Sequence, residues 1–186
     1  MNAMPQATRP IADLRHARDA SRCARAWAVL ATVLDPEVPA LSIVDLGIVR
    51  DVIEADDGVL ELMLTPTYSG CPATEVIEAD ALAAIDVAGL GPARVVMRRA
   101  PAWTTEWISD EGRRKLREYG IAPPAHFAAG EVRPMRFIPR GGIASPPCPH
   151  CASARTERLS AFGSTACKSL HRCLDCREPF EHFKAI

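Results

Sequence analysis

The chain has 186 residues, 48% hydrophobic and 24% charged, with a formal charge of -1. That length suits one domain with a small appendage and excludes a large multidomain enzyme. The near-zero charge supplies no overall field for nucleic acid or an anionic membrane surface. No apolar run approaches the roughly 20 residues of a membrane-spanning helix, and the first residues lack the apolar stretch of a secretory signal. A cytoplasmic location is therefore expected, with neither nucleic acid nor membrane as a partner. Of the seven cysteines, five fall in the last 39 residues, which favours local metal ligation over a disulfide framework.

Residues 1–19 are polar and unpatterned, which predicts a flexible tail. Residues 20–122 are predicted to form an α+β domain, a small two-layer sheet-and-helix unit in the order helix, strand, strand, helix, strand. Ser21 is a candidate N-cap for a helix whose apolar face carries Trp27, Leu30, Ala31 and Leu34, and Asp35-Pro36 is expected to end it. Ile48 to Glu54 and Val59 to Thr65 read as a hairpin turning through Asp56-Asp57-Gly58, with Leu60, Leu62 and Leu64 on one face. Pro72 suits the first position of a second helix, with Ile77, Ala81, Ala84, Ile85 and Ala88 inward. Ala93 to Arg99 is the third strand, and coming after a helix it can lie parallel to the second. A short helix, Asp110 to Glu118, carries Arg113, Arg114, Lys115 and Arg117, read as a solvated face. Residues 123–146 are rich in Pro and Gly and read as a linker, and 147–186 as a zinc-ribbon-like module.

Cys148-Pro-His-Cys151 and Cys173-Leu-Asp-Cys176 are two C-x-x-C pairs with 21 residues between them, the spacing of a four-cysteine zinc site. About 40 residues can hardly hold a core alone, so a metal would serve as the missing core. Iron, singly or as a cluster, can occupy the same thiolates, with Cys167, His150, His171 and His182 as nearby alternative ligands. A redox dithiol fits less well, because such a pair normally opens a helix beside a strand. Cys167 is the odd thiol, either a small buried hydrophobe or a further ligand or transfer thiol. Cys71, between Gly70 and Pro72 at an expected helix start, is either a capping residue or a thiolate favoured by the helix dipole. Asp35, Glu37 and Asp45 either ring the same end of the sheet or cap turns. No phosphate loop, Ser-His-Asp arrangement or H-E-x-x-H motif is present.

Asp35-Pro36-Glu37, Asp45-Leu46-Gly47-Ile48-Val49, Leu64-Thr65-Pro66-Thr67 and Gly70-Cys71-Pro72 resemble the metal-sulfur cluster assembly domain. The C-terminal stretch, with its two cysteine pairs, Ser160-Ala-Phe-Gly-Ser-Thr-Ala-Cys-Lys168 and Glu178-Pro179-Phe180, is similar to the zinc-ribbon tail of the PaaD (also PaaJ) subunits of phenylacetyl-CoA epoxidase. The resemblance implies an accessory subunit of that ring-1,2-epoxidase, in aerobic phenylacetate degradation. Its partners would be the oxygenase subunits or the iron-sulfur flavin reductase, and its work maturation by delivery of iron or an iron-sulfur cluster. Cys148, Cys151, Cys173 and Cys176 are then the metal ligands, for structural zinc first. Cys71 and Cys167 are the candidates for iron or cluster transfer, and Asp35, Glu37, Asp45 and Thr67 the supporting residues. The chain has no helical carboxylate pattern of a di-iron bundle, so no catalytic residue is expected in it. The alternatives are a purely structural epoxidase subunit and a nucleic-acid-binding zinc ribbon.

Overall fold

The computed structural model describes residues 22–68, 70–125 and 145–185. The first 21 residues and most of the expected linker, 126–144, lie outside that range. The order is α1 (Arg22–Leu30), β1 (Val49–Glu54), β2 (Leu60–Leu64), α2 (Thr74–Val87), β3 (Ala93–Met97), a single 3-10 turn (Thr105–Trp107), α3 (Asp110–Glu118) and β4 (Ile121–Ala122). Three strands close the chain: β5 (Thr156–Ser160), β6 (Lys168–Cys173) and β7 (Pro179–Phe183).

The helix, strand, strand, helix, strand order of the first part agrees with expectation. Strands β1 and β2 are antiparallel, turning through Gly58 at φ +77°, and β2 and β3 are parallel. Leu60, Leu62 and Leu64 are fully buried. Each contributes about 1.5–3 kcal/mol of hydrophobic stabilisation. Ile77, Ala81 and Ile85 of α2 and Ala26 and Leu30 of α1 cover the same face.

Four local expectations are corrected. The first helix stops at Leu30, not at Asp35: Ala31 and Leu34 are exposed, while Val33 turns into the core and Leu34 bridges Ser42. Pro72 precedes the second helix, which starts at Thr74, and Ala88 is exposed at its end. The third strand ends at Met97, leaving Arg98 and Arg99 exposed. The basic face of α3 is only partly solvated. Arg113 is buried and donates to the carbonyls of Thr105 and Pro124 at 2.7 Å each, and Lys115 reaches the Asp45 carboxylate at 2.7 Å.

The C-terminal strands form one sheet in the order β4-β7-β6-β5, so Ile121–Ala122 of the first part pairs with the last strand. Phe183, Cys167 and Ile121 belong to the main core, and the Phe183 ring lies 6.1 Å from Trp103. The indole N–H of Trp103 in turn donates to the Leu46 carbonyl. Two glycines permit close approaches. A Cβ on Gly47, at φ +67°, would stand 2.5 Å from the Trp107 carbonyl oxygen, and one on Gly120, at φ +86°, 2.9 Å from the His150 ring. The second contact seats the first cysteine pair against the end of α3.

Candidate functional site

Two thiol groupings are built by this fold. In the first, the sulfurs of Cys148, Cys151, Cys173 and Cys176 all lie within 4.8 Å of one another. Cys148 and Cys176 are 3.7 Å apart, Cys151 and Cys173 3.6 Å. Four sulfurs at about 2.3 Å from one ion, set tetrahedrally, stand about 3.8 Å apart, so the set fits a metal of that preference. Each pair ends in the same backbone device: Ala152 and Arg177, directly after the second cysteine of their pairs, have φ of 60° and 68°. Sequence spacing gave no sign of that shared left-handed turn.

The N–H of Asp175 points at the Cys173 sulfur at 3.4 Å. Burial works against ionising Cys173, but the N–H groups of Cys176 and Asp175 outweigh it and bring the thiol down to about 6. At Cys176 the Glu178 N–H favours the thiolate, yet burial and the bonds shared with the other three sulfurs push it up to about 12. Four thiolates this close repel one another, and a divalent ion bound among them would offset that repulsion. The four cysteines form a metal-binding group. Cys167, His150, His171 and His182 do not join it among the described residues. His171 instead stacks on Phe180 and meets His182 edge-on inside the sheet.

The second grouping is a cavity of about 20 Å³, lined among others by Asp35, Glu37, Thr67, Cys71 and Cys167, roughly the room of a water molecule. Five residues singled out from the sequence thus meet in one place. Asp35 builds a turn: its Oδ1 accepts the N–H groups of Glu37 at 2.9 Å and Val38 at 2.7 Å, which aims Glu37 at the cavity. The Cys71 N–H donates to the Tyr68 carbonyl at 3.4 Å, and the Cys71 carbonyl accepts the Thr74 N–H at 3.2 Å. Standing three residues ahead of α2, the thiol is not on the first helical turn, where the expected dipole effect acts.

Cys167 arrives from the ribbon. Its carbonyl accepts the Lys184 N–H, while the turn before it is fastened by Glu181, which takes the Ser164 N–H at 2.5 Å and the buried Lys168 ammonium at 2.9 Å. The Cys167 thiol lies 3.0 Å from Thr165 Oγ1 and 3.8 Å from Glu37 Oε2.

Burial raises the Cys167 thiol, and the Glu37 carboxylate adds to the rise. Glu37 is raised by burial and then by Asp35; Asp35 is itself raised by burial, against the pull of its two N–H donors and Lys168. Tyr68, pushed up to about 12 by burial and by Cys71 and Glu37, stays a phenol beside the thiols. Tyr68 and Lys168 were missed from the sequence, although each stands close to a singled-out cysteine. Asp45 is placed elsewhere, where its carboxylate binds the Ser42 N–H and Lys115.

Comparison with known proteins bears on both groupings. Residues 137–184 match the family model described as the PaaD zinc beta ribbon domain, and residues 24–96 the one described as an iron-sulfur cluster assembly protein. A protein of Escherichia coli (strain K12), assigned as the D component of 1,2-phenylacetyl-CoA epoxidase, is 47% identical over 160 residues, 86% of this chain and 91% of its own. The chain belongs to the PaaD family. An Fe-S protein maturation auxiliary factor of Porphyromonas gingivalis is 30% identical over 89 residues, 47% of this chain and 84% of its own. The crystal structure of a DUF59 domain of unknown function from Bacillus anthracis is 28% identical, covering 51% of this chain and 91% of its own, with a TM-score of 0.47. The two matched segments of this PaaD-family chain divide the cavity between them: Glu37 and Cys71 lie in the first, Cys167 in the second.

Proposed function

We propose that the chain is an accessory subunit of the 1,2-phenylacetyl-CoA epoxidase system and acts in maturation, passing iron or an iron-sulfur unit to the oxygenase or reductase subunits. The observation that carries this reading is the meeting of Cys71, Cys167 and Glu37 at one small cavity. Two thiols and a carboxylate are donors suited to iron, and a cavity of about 20 Å³ suits an ion or a water molecule. Family membership supports the pathway, and the match to an iron-sulfur cluster assembly protein supports the type of work.

The four-cysteine group holds one structural zinc ion in this reading. Zinc suits the tetrahedral all-thiolate set, and its role is to close the ribbon around the two cysteine pairs. Metal analysis of the purified chain tests it, with about one zinc per chain expected. No described helix is long and apolar enough to cross a membrane, and the partners proposed are the other epoxidase subunits.

The delivery role is tested by purifying the oxygenase and reductase subunits from cells lacking this chain. They should be poor in iron, and late addition of the pure chain without iron should not restore turnover. Fully metallated subunits whose activity returns at once on addition would instead make the chain a working structural subunit.

A further inference from the structure

We infer that the cavity takes a single divalent iron ion, not an assembled cluster, held by the thiolates of Cys71 and Cys167 and the carboxylate of Glu37. This rests on the delivery reading above and names its cargo.

Size argues first. A cavity of about 20 Å³ accepts something close to a water molecule in bulk. A two-iron cluster is larger and is ordinarily held by four cysteines, whereas this cavity presents two thiols.

The donors argue second. A sulfur and an oxygen bound tetrahedrally to one ion, at about 2.3 and 2.1 Å, stand about 3.6 Å apart. Cys167 Sγ and Glu37 Oε2 are 3.8 Å apart, so these two already sit at the separation of ligands on a shared ion. The third donor is Cys71, which lines the same cavity. Among the described residues only the four-cysteine group has three or more ligand atoms mutually within 4.8 Å, so Cys71 must turn inward to complete the shell. A shell that closes only around its ion also opens to release it, as a carrier requires. Asp35 also lines the cavity, but its Oδ1 accepts two backbone N–H groups, so its carboxylate holds the turn that presents Glu37.

Charge argues third. Two thiolates and a carboxylate around a divalent ion leave one negative charge. Lys168, 3% exposed and adjacent to Cys167, pairs with Glu181 at 2.9 Å and acts on Asp35, Glu37 and Cys167 as a buried positive charge at longer range. As the ion enters, one proton leaves each thiol for solvent, and no electron moves. Because Cys167 and Lys168 come from the ribbon, the assembly-type segment alone holds only half of this site.

The test uses the full chain, purified without oxygen and with its four-cysteine group loaded with zinc. Ferrous iron is added with and without sulfide, and the product is read by Mössbauer spectroscopy and X-ray absorption. The expected result is one ferrous site per chain with two sulfur neighbours beside oxygen, zinc retained, and no cluster when sulfide is present. Cys71→Ser, Cys167→Ser and Glu37→Gln should each weaken iron binding by at least the roughly tenfold that loss of an outer-shell partner costs, with zinc content unchanged. The sulfur count of the wild-type chain decides the matter even if a variant folds poorly. A ferrous site with four sulfurs, or one indifferent to Cys167→Ser, overturns the inference. A cluster retained by the chain overturns it too, but leaves the delivery reading standing. Retention of neither iron nor cluster removes both.

Discussion

The carboxylate of Glu37 lies 3.8 Å from the thiol of Cys167, across 130 residues of sequence. The contact joins a turn of the assembly-type segment to the ribbon. Strand β6 extends the connection: it begins next to Cys167 and ends on Cys173, one of the four clustered cysteines. One strand therefore carries a cavity thiol at one end and a metal ligand at the other.

Stripping the ribbon of its metal should release Cys167. Cys167 is 5% exposed and Cys71 half-buried in the folded ribbon, so in the metal-loaded chain an alkylating reagent should modify Cys71 first. After chelation, Cys167 should be modified at a rate approaching that of Cys71, because folding of the ribbon depends on its metal. Mass-spectrometric mapping of the labelled thiols reads both rates. Continued protection of Cys167 without metal would show that the main core alone holds it.

Glu37→Gln should trade binding for stability. Burial raises the Glu37 pKa, so the folded state holds the proton more tightly than the unfolded chain. Its contribution is present in full below the unfolded value near 4.3 and is lost as pH rises through the folded value. A neutral side chain removes that loss. The variant should be more stable than wild type at pH 7 in urea unfolding, while binding iron less well.

Asp45 has the opposite sign. Burial acts to raise it, but Lys115 and the Ser42 N–H prevail and hold it below the usual carboxylate range. Its stabilisation is present above an unfolded value near 3.9 and is lost as pH falls through the folded one. Asp45→Asn should flatten the acid side of the stability profile, with a cost at pH 7 of about 1.5 kcal/mol. An unchanged acid limb would place the acid sensitivity in other groups, with Glu181, also lowered, the next to examine.

Arg113→Ala should be costly although it removes a charge far from any thiol. The guanidinium is 3% exposed and satisfies two carbonyls, at Thr105 and Pro124. Its loss takes a charged donor from both carbonyls, although Thr105 keeps the Ile108 N–H at 3.3 Å, and costs about 2 kcal/mol. Arg114→Ala, on the exposed side of the same helix, should change stability by no more than ~0.5 kcal/mol.

The contrast between those two arginines shows where sequence reading stops. The sequence reading placed α3 with its observed bounds, yet one basic residue looks like the next until the chain on either side has folded to offer Arg113 the carbonyls of Thr105 and Pro124. The leucine alternation of β2 and the two C-x-x-C pairs were legible because each pattern is local. The end of α1 was misjudged for the same reason: Leu34 has helical spacing, but Asp35 captures the N–H groups that follow it and draws the chain into a turn. For the cavity, chemistry and resemblance named Asp35, Glu37, Thr67, Cys71 and Cys167. That the ribbon brings Cys167 to Glu37 depends on the pairing of Ile121–Ala122 with β7 and on Phe183 entering the main core, long-range contacts that no local pattern encodes. The burial of Lys168, paired with Glu181, belongs to the same class.

Direct handover is the most telling measurement for delivery of iron by this chain. Chain loaded with labelled ferrous iron is mixed, without oxygen, with iron-free oxygenase and reductase subunits and an excess of a chelator that captures any free ion. Delivery predicts that the label reaches one of those subunits despite the chelator, and that Cys71→Ser abolishes the transfer. Label found only on the chelator, with the subunits still empty, would contradict it.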